Sequence, residues 1–252
     1  MISDPASPPM NADGRPAAAA PAESSNSPPA GVSAKPAAPA PIHAKMRWYY
    51  RFCQWGCRLI FLLFFRGRAF HGYRVPREGG VLLACNHQSF LDPVIAAYAL
   101  PRECHFMGRD TLFENPWFAK LIESLNCYPI KRGAADTRAI KESLRRLKGG
   151  AALVAFPEGT RTTDGRLGTL LPGVILIARK ARVPIVPTYI AGAYQAFPRS
   201  AKLPRRKPIS VAYGAPISAD ALASMSDEQC MEAVRDELLR LEARYAPLVA
   251  DS

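Results

Sequence analysis

The chain's 252 residues suffice for one or two domains, and a hydrophobic content of 48% excludes a wholly disordered polypeptide. A formal net charge of +12 points to anionic partners: phosphorylated substrates, anionic lipid or nucleic acid. The six cysteines, at 53, 57, 85, 104, 127 and 230, form neither a C-x-x-C pair nor a Cys/His zinc spacing, which reads as reduced cytosolic thiols and no metal site.

Residues 1–42 are rich in Pro, Ala and Ser, with almost no large apolar side chain. Such a segment cannot bury enough surface to offset its ordering entropy, so a disordered tail is expected. Asp4 stands where a secretory signal would carry basic residues, and no continuous apolar run follows it. Residues 43–67 differ in kind. Arg47, Arg51, Gln54 and Arg58 fall in one polar stripe of a helix, and the remainder is aromatic and aliphatic, ending in Leu59 to Phe65. The apolar run is too short to span about 30 Å of hydrocarbon. An amphipathic helix in the bilayer interface is expected, with its arginines on anionic headgroups. A core helix docked on the rest of the chain is the alternative. A tilted span would put Arg51 and Arg58 inside the membrane, at about 2.5–3.5 kcal/mol each near its centre.

From residue 68 to 250 the pattern alternates strands and helices. Ala69–Tyr73 reads as a strand, turned by Pro76 and Gly79-Gly80 into a buried strand at Val81–Cys85. A polar turn follows, Asn86-His87-Gln88-Ser89-Phe90-Leu91-Asp92, and then a helix over Val94–Leu100 with Asp92 as its N-cap and Pro93 in its first turn. A His and an Asp on a strand-to-helix turn sit where α/β folds bind ligands. A carboxylate can fix the imidazole tautomer and let the ring act as a base near neutral pH. A capping Asp and a plain turn His would satisfy the same letters.

A strand over Cys104–Met107 and a helix from Pro116 to Leu125 come next, with Phe113, Trp117 and Phe118 read as core, the lining of a ligand tunnel being the alternative. Tyr128-Pro129-Ile130-Lys131-Arg132-Gly133 precedes a helix from Asp136 to Leu147, whose Lys141, Arg145, Arg146 and Lys148 form a basic outer face. Ala152–Phe156 is a second buried strand running into Pro157-Glu158-Gly159-Thr160-Arg161. A helix over Pro172–Ala181 precedes a strand at Val183–Ile190, whose prolines suggest an edge position or a local irregularity. A basic loop carrying Lys202, Arg205, Arg206 and Lys207 leads to the strand Ile209–Tyr213. Ser226 with Gln229 makes a capping box for a last helix whose inward stripe is Cys230, Val234, Leu238, Leu241 and Tyr245.

The NHQSFLD and FPEGTR blocks, in that order, resemble the glycerolipid acyltransferases, the family of lysophosphatidic acid (1-acyl-glycerol-3-phosphate) acyltransferases. The blocks at Tyr128–Gly133 and Val183–Pro187 lie where that resemblance expects them. Cys127 and Lys131 stand where the family commonly has a glycine and an acid, and Leu171-Pro172-Gly173 lacks the Lys found in many relatives. The resemblance implies an α/β fold: one domain with a central mixed, mostly parallel sheet flanked by helices. It implies that His87, oriented by Asp92, is the catalytic base and that Arg132, Glu158, Gly159, Thr160 and Arg161 bind the glycerol-phosphate acceptor. The implied reaction moves a fatty acyl group from acyl-CoA or acyl carrier protein to a lysophospholipid hydroxyl, giving phosphatidic acid, with no metal or cofactor. A place on the cytoplasmic face of the inner (plasma) membrane follows. Acylation of another acceptor, such as a lyso-ornithine lipid, or a non-catalytic membrane-binding protein of the same fold, are the alternatives. Nucleic-acid binding has no motif behind it.

Overall fold

Alternation along the strands divides the core into two apolar clusters, one on each face of a single sheet. The computed structural model describes residues 46–131 and 136–250. Its seven strands are β1 (Arg68–Phe70), β2 (Val81–Cys85), β3 (Cys104–Arg109), β4 (Cys127–Ile130), β5 (Ala152–Ala155), β6 (Ile185–Ala191) and β7 (Ser210–Tyr213). They lie in the order β1-β7-β6-β2-β5-β3-β4. Every pair is parallel except β6 with β7. Leu82, Ala84, Leu153 and Ala155 point to one cluster, and Val81, Leu83, Cys85 and Val154 to the other. Strands covered on both faces read as unbroken apolar runs, as these do.

The helices in chain order are α1 (Trp48–Leu63), α2 (Asp92–Ala97), α3 (Pro116–Ser124), α4 (Thr137–Lys148), α5 (Gly173–Ala181), α6 (Ala193–Ala196), α7 (Ala219–Ser224), α8 (Asp227–Tyr245) and α9 (Pro247–Ala250). Local chemistry sets several of their starts. Asn115 caps α3 ahead of Pro116, Asp136 caps α4, and Ser226 with Gln229 closes the capping box of α8. Leu147 of α4, most of α5 and the inward stripe of α8 fill one cluster; Phe61 and Phe65, with α2, fill the other. The arrangement is the mixed, mostly parallel α/β sheet that the sequence implied.

Three expectations are corrected. β1 ends at Phe70 and does not reach Tyr73; a 3₁₀ turn at Gly72–Arg74 follows it, and the strand lies at the sheet edge beside β7. β6 is not an edge strand but sits between β7 and β2. Pro187 is tolerated because its carbonyl accepts from Gly214 N at 2.7 Å, next to the last β6–β7 pair, Thr188 with Tyr213. Its missing N–H therefore faces the end of that ladder rather than an unbroken neighbour.

The third correction concerns α1. The polar stripe faces inward. Gln54 Nε2 donates to the carbonyls of Ala97 and Leu100 at 3.0 and 2.9 Å, and Arg58 Nε donates to Tyr98 O at 2.6 Å. Arg47 donates through both its backbone N and its guanidinium to Glu103. Arg51 and Arg58 are both exposed, but Arg58 still turns its guanidinium back onto the carbonyls of Tyr98 and Leu100. Helix ends leave carbonyls unsatisfied, and α1 supplies donors for those at the end of α2. The apolar face points outward: Trp48 is 80% exposed, and Phe52, Trp55, Leu62 and Leu63 more than 60% each. At 16 residues α1 is about 24 Å long. No helix among the described residues is long and apolar enough to cross a membrane.

Candidate active site

β2 and β5 are neighbours in register, Ala84 opposite Ala155, so the two sequence blocks leave the sheet side by side at the carboxyl ends of parallel strands. Asn86 extends β2 by side chain: its Nδ2 donates to Ile190 O at 2.9 Å, and its Oδ1 accepts from Ile190 N at 2.7 Å. That rung fixes where His87 departs.

Asp92 is not the cap of α2. It occupies the first turn and bends back over the loop. Its Oδ2 accepts from His87 Nδ1 at 2.8 Å, from Gln88 N at 2.5 Å and from Ser89 N at 2.6 Å. The carboxylate is fully buried and the imidazole nearly so. Burial pushes the Asp92 carboxyl above its ordinary pKa, while the ring and the two backbone N–H groups pull it back. An acceptor at Nδ1 places the ring proton there and leaves Nε2 with a lone pair. Phe156 stacks on the ring at a centroid distance of 4.0 Å and an angle of 19°, which fixes its plane.

The second block closes over the first. Glu158 Oε1 accepts from His87 N at 2.8 Å, and its Oε2 from Gly168 N at 3.0 Å. Thr162 N donates to His87 O at 2.8 Å, and Gln88 Nε2 to Gly165 O at 2.8 Å. Burial raises the Glu158 pKa, and those two N–H groups oppose it. Gly159 turns the chain at φ 69°, and a Cβ there would lie 2.9 Å from Leu171 Cδ1. Arg235 of α8 braces the far side of the loop by donating to Gly168 O at 3.0 Å.

The Arg161 guanidinium lies over the Phe90 ring, 3.5 Å from its centroid, so an aromatic of the first block orients a cation of the second. An open cleft of about 540 Å³ runs past Glu158, Thr160, Arg161, Arg166 and Thr169. His87, Asp92, Glu158, Gly159, Thr160 and Arg161 are thus gathered in one place. Arg132 lies outside the described residues.

Both oxygens of Glu158 accept from backbone N–H groups. The backbone N–H groups of His87, Gln88 and Ser89 are all spent on carboxylates. Sequence reading missed Asn86, Gln88, Phe90, Phe156 and Gly168. The aromatic next to each block was the one available signal, and an unpaired ring beside a His or Arg is a weak one.

The family model described as Acyltransferase matches residues 68–191. The chain is similar to the 1-acyl-sn-glycerol-3-phosphate acyltransferase of Bacillus subtilis, 25% identical over 190 residues, 75% of this chain and 92% of that one. It is 34% identical over 139 residues to the protein of the same name from Cocos nucifera, covering 54% of this chain and 45% of that one. It thus spans less than half the length of the plant relative. Its fold is like that of the crystal structure of the 1-acyl-sn-glycerophosphate (LPA) acyltransferase from Thermotoga maritima. The TM-score is 0.67 at 22% identity, over 76% of this chain and 77% of that one.

Proposed function

We propose, for a chain that belongs to the acyltransferase family, O-acyl transfer from a thioester to the free hydroxyl of a lysophospholipid. The acceptor is 1-acylglycerol 3-phosphate and the product phosphatidic acid. One observation carries the reading: a histidine whose Nδ1 is tied to a buried carboxylate at 2.8 Å, on a loop stitched to the one bearing Arg161.

His87 Nε2 takes the proton of the acceptor hydroxyl as its oxygen attacks the thioester carbonyl carbon. The C–O bond forms, the C–S bond breaks, and the proton passes from the imidazolium to the departing thiolate. Asp92 holds the tautomer and steadies the imidazolium; general-base assistance of this kind is worth about 10²–10⁴-fold. Arg161 binds the acceptor phosphate with a planar fork matched to its oxygens, and Arg132 is a second proposed ligand on sequence grounds. Held there, the phosphate positions the hydroxyl for attack. Glu158 acts through His87 by fixing its backbone. The thioester brings its own activation, so the mechanism calls for no cofactor; the donor is acyl-CoA or acyl carrier protein. The outward apolar face of α1 rests on the membrane surface where the acceptor lies, on the cytoplasmic face of the inner membrane.

The test is purified protein with labelled acyl-CoA, acyl carrier protein as alternative carrier, and lysolipids with and without phosphate. Transfer should require the phosphate and vanish in His87→Ala. Equal use of a phosphate-free lysolipid would overturn the acceptor, and near-normal turnover by His87→Ala would overturn the base.

A further inference from the structure

Two long stretches of this chain contain no carboxylate, Lys45 to Arg77 and Gly165 to Ala219. The fold joins them just past the end of α1. Ile209 N donates to Phe65 O at 3.0 Å, Arg68 N to Ile209 O at 3.1 Å, and Arg206 to Leu63 O at 3.4 Å. Between the two strings lies a cavity of about 230 Å³ lined by Phe64, Arg66, Arg206, Lys207 and Pro208. Its three cations make no ion pair with a carboxylate among the described residues. Like charges gathered without a counter-charge repel one another, and a bound anion removes that cost.

We propose that this cavity binds the phosphate headgroup of an anionic phospholipid, separately from the acceptor in the active site. The occupant is argued from its rim. Leu62, Leu63 and Phe64 are exposed beside it and continue the apolar face of α1. A free phosphate would fill the cationic part and leave that rim in water; a lipid covers both. Guanidinium groups suit the phosphate oxygens. The location gives the site a purpose. β7 runs antiparallel to β6, Ser210 opposite Ala191, so its start lies at the sheet end that carries Asn86 and His87. The same loop touches the catalytic turn, where Ser89 Oγ donates to Phe197 O at 2.8 Å. A headgroup held there turns the mouth of the active site toward the bilayer. The inference rests on the membrane-surface reading of α1.

The test is co-sedimentation of the full chain with phosphatidylcholine vesicles and with vesicles part-replaced by phosphatidylglycerol. The wild type should favour the mixed vesicles. The double variant Arg206→Gln/Lys207→Gln should bind them roughly thirtyfold more weakly, keep its binding to neutral vesicles, and keep acyl transfer to an acceptor in detergent micelles. Lys141→Gln/Lys148→Gln removes the same charge from α4, in the opposite layer, and should change binding less than twofold. An undiminished preference in the first variant, or an equal loss in the second, overturns the site. Inorganic phosphate at matched ionic strength should not release the protein; release would assign the cavity to free phosphate instead. Equal wild-type binding to both vesicles sinks the headgroup site alone, whereas binding to neither sinks the membrane reading of α1 with it.

Discussion

The catalytic turn and α1 both bury polar side chains, and they do so for opposite ends. At the turn, Asp92 gathers three donors around one oxygen and so fixes the His87 imidazole. In α1, Gln54 and Arg58 spend their donors on carbonyls at the end of α2, which leaves the helix's apolar face outside. The two regions meet through α2, six residues long, with Asp92 at its start and the capped carbonyls just past its end. Partners decide burial: a polar side chain goes inside where it meets an unsatisfied group, and a tryptophan stays outside where another phase covers it.

The largest expected effect lies at the turn and separates chemistry from architecture. His87→Ala and Asp92→Ala should both lose about 10²–10⁴-fold in kcat, measured with labelled thioester. Only Asp92→Ala should also lower the melting temperature. It leaves the Gln88 and Ser89 N–H groups buried without an acceptor, at about 1–3 kcal/mol each. Equal melting of the two variants would mean that Asp92 does not organise the loop.

Glu158→Gln comes next. The amide keeps the shape but turns one accepting oxygen into a donor, so either His87 N or Gly168 N meets an N–H. A stability loss of about 1–3 kcal/mol is expected, seen by calorimetry. With about 1.4 kcal/mol of that falling on the placement of His87, kcat drops about tenfold. A change confined to KM would instead return Glu158 to the acceptor pocket.

A crossed pair of substitutions probes α1. Gln54→Leu should destabilise by about 1–3 kcal/mol, because two carbonyls lose their donor, and leave vesicle binding intact. Trp55→Ser should shift stability by less than about 0.5 kcal/mol and weaken vesicle binding. The reverse outcome would break the inside-out description of the helix.

Much of the catalytic turn was legible because its signals are local. An apolar run, a polar turn and Asp-Pro placed His87 correctly between a strand and a helix, whereas Asp92 lies in the helix's first turn and not at its cap. That the FPEGTR loop lies over that turn depends on β2 and β5 being neighbours, and no residue in either strand states its partner. Pro187 misled for the same reason: a missing N–H is harmless at the end of one ladder, and ladder ends are set by β7, far along the chain. The stripe of Arg47, Gln54 and Arg58 was read correctly as a stripe and aimed at the wrong phase. Its partners are backbone carbonyls and Glu103, which a helical wheel does not display.

The smallest expected effect uses pH to set the two regions against each other. Burial raises the pKa of Asp92 and of Glu158, so the folded state holds extra protons between their ordinary and raised values. Acidification through that window therefore stabilises the catalytic loops. Glu103 has the opposite sign. Burial would raise it, but the Arg47 and Asn126 side chains outweigh burial and hold it below its ordinary value. Its contribution is complete above the ordinary carboxylate pKa and is lost as pH falls through the lowered one. Acid below the ordinary carboxylate pKa should therefore loosen α1 while the turn at His87 stays closed. Amide-exchange protection, corrected for intrinsic rates, should fall in residues 48–63 before it falls in 86–92. Glu103→Gln should remove most of that pH dependence in α1 and leave the turn unchanged. Simultaneous loss of protection in both regions would mean that α2 couples them too tightly to open apart.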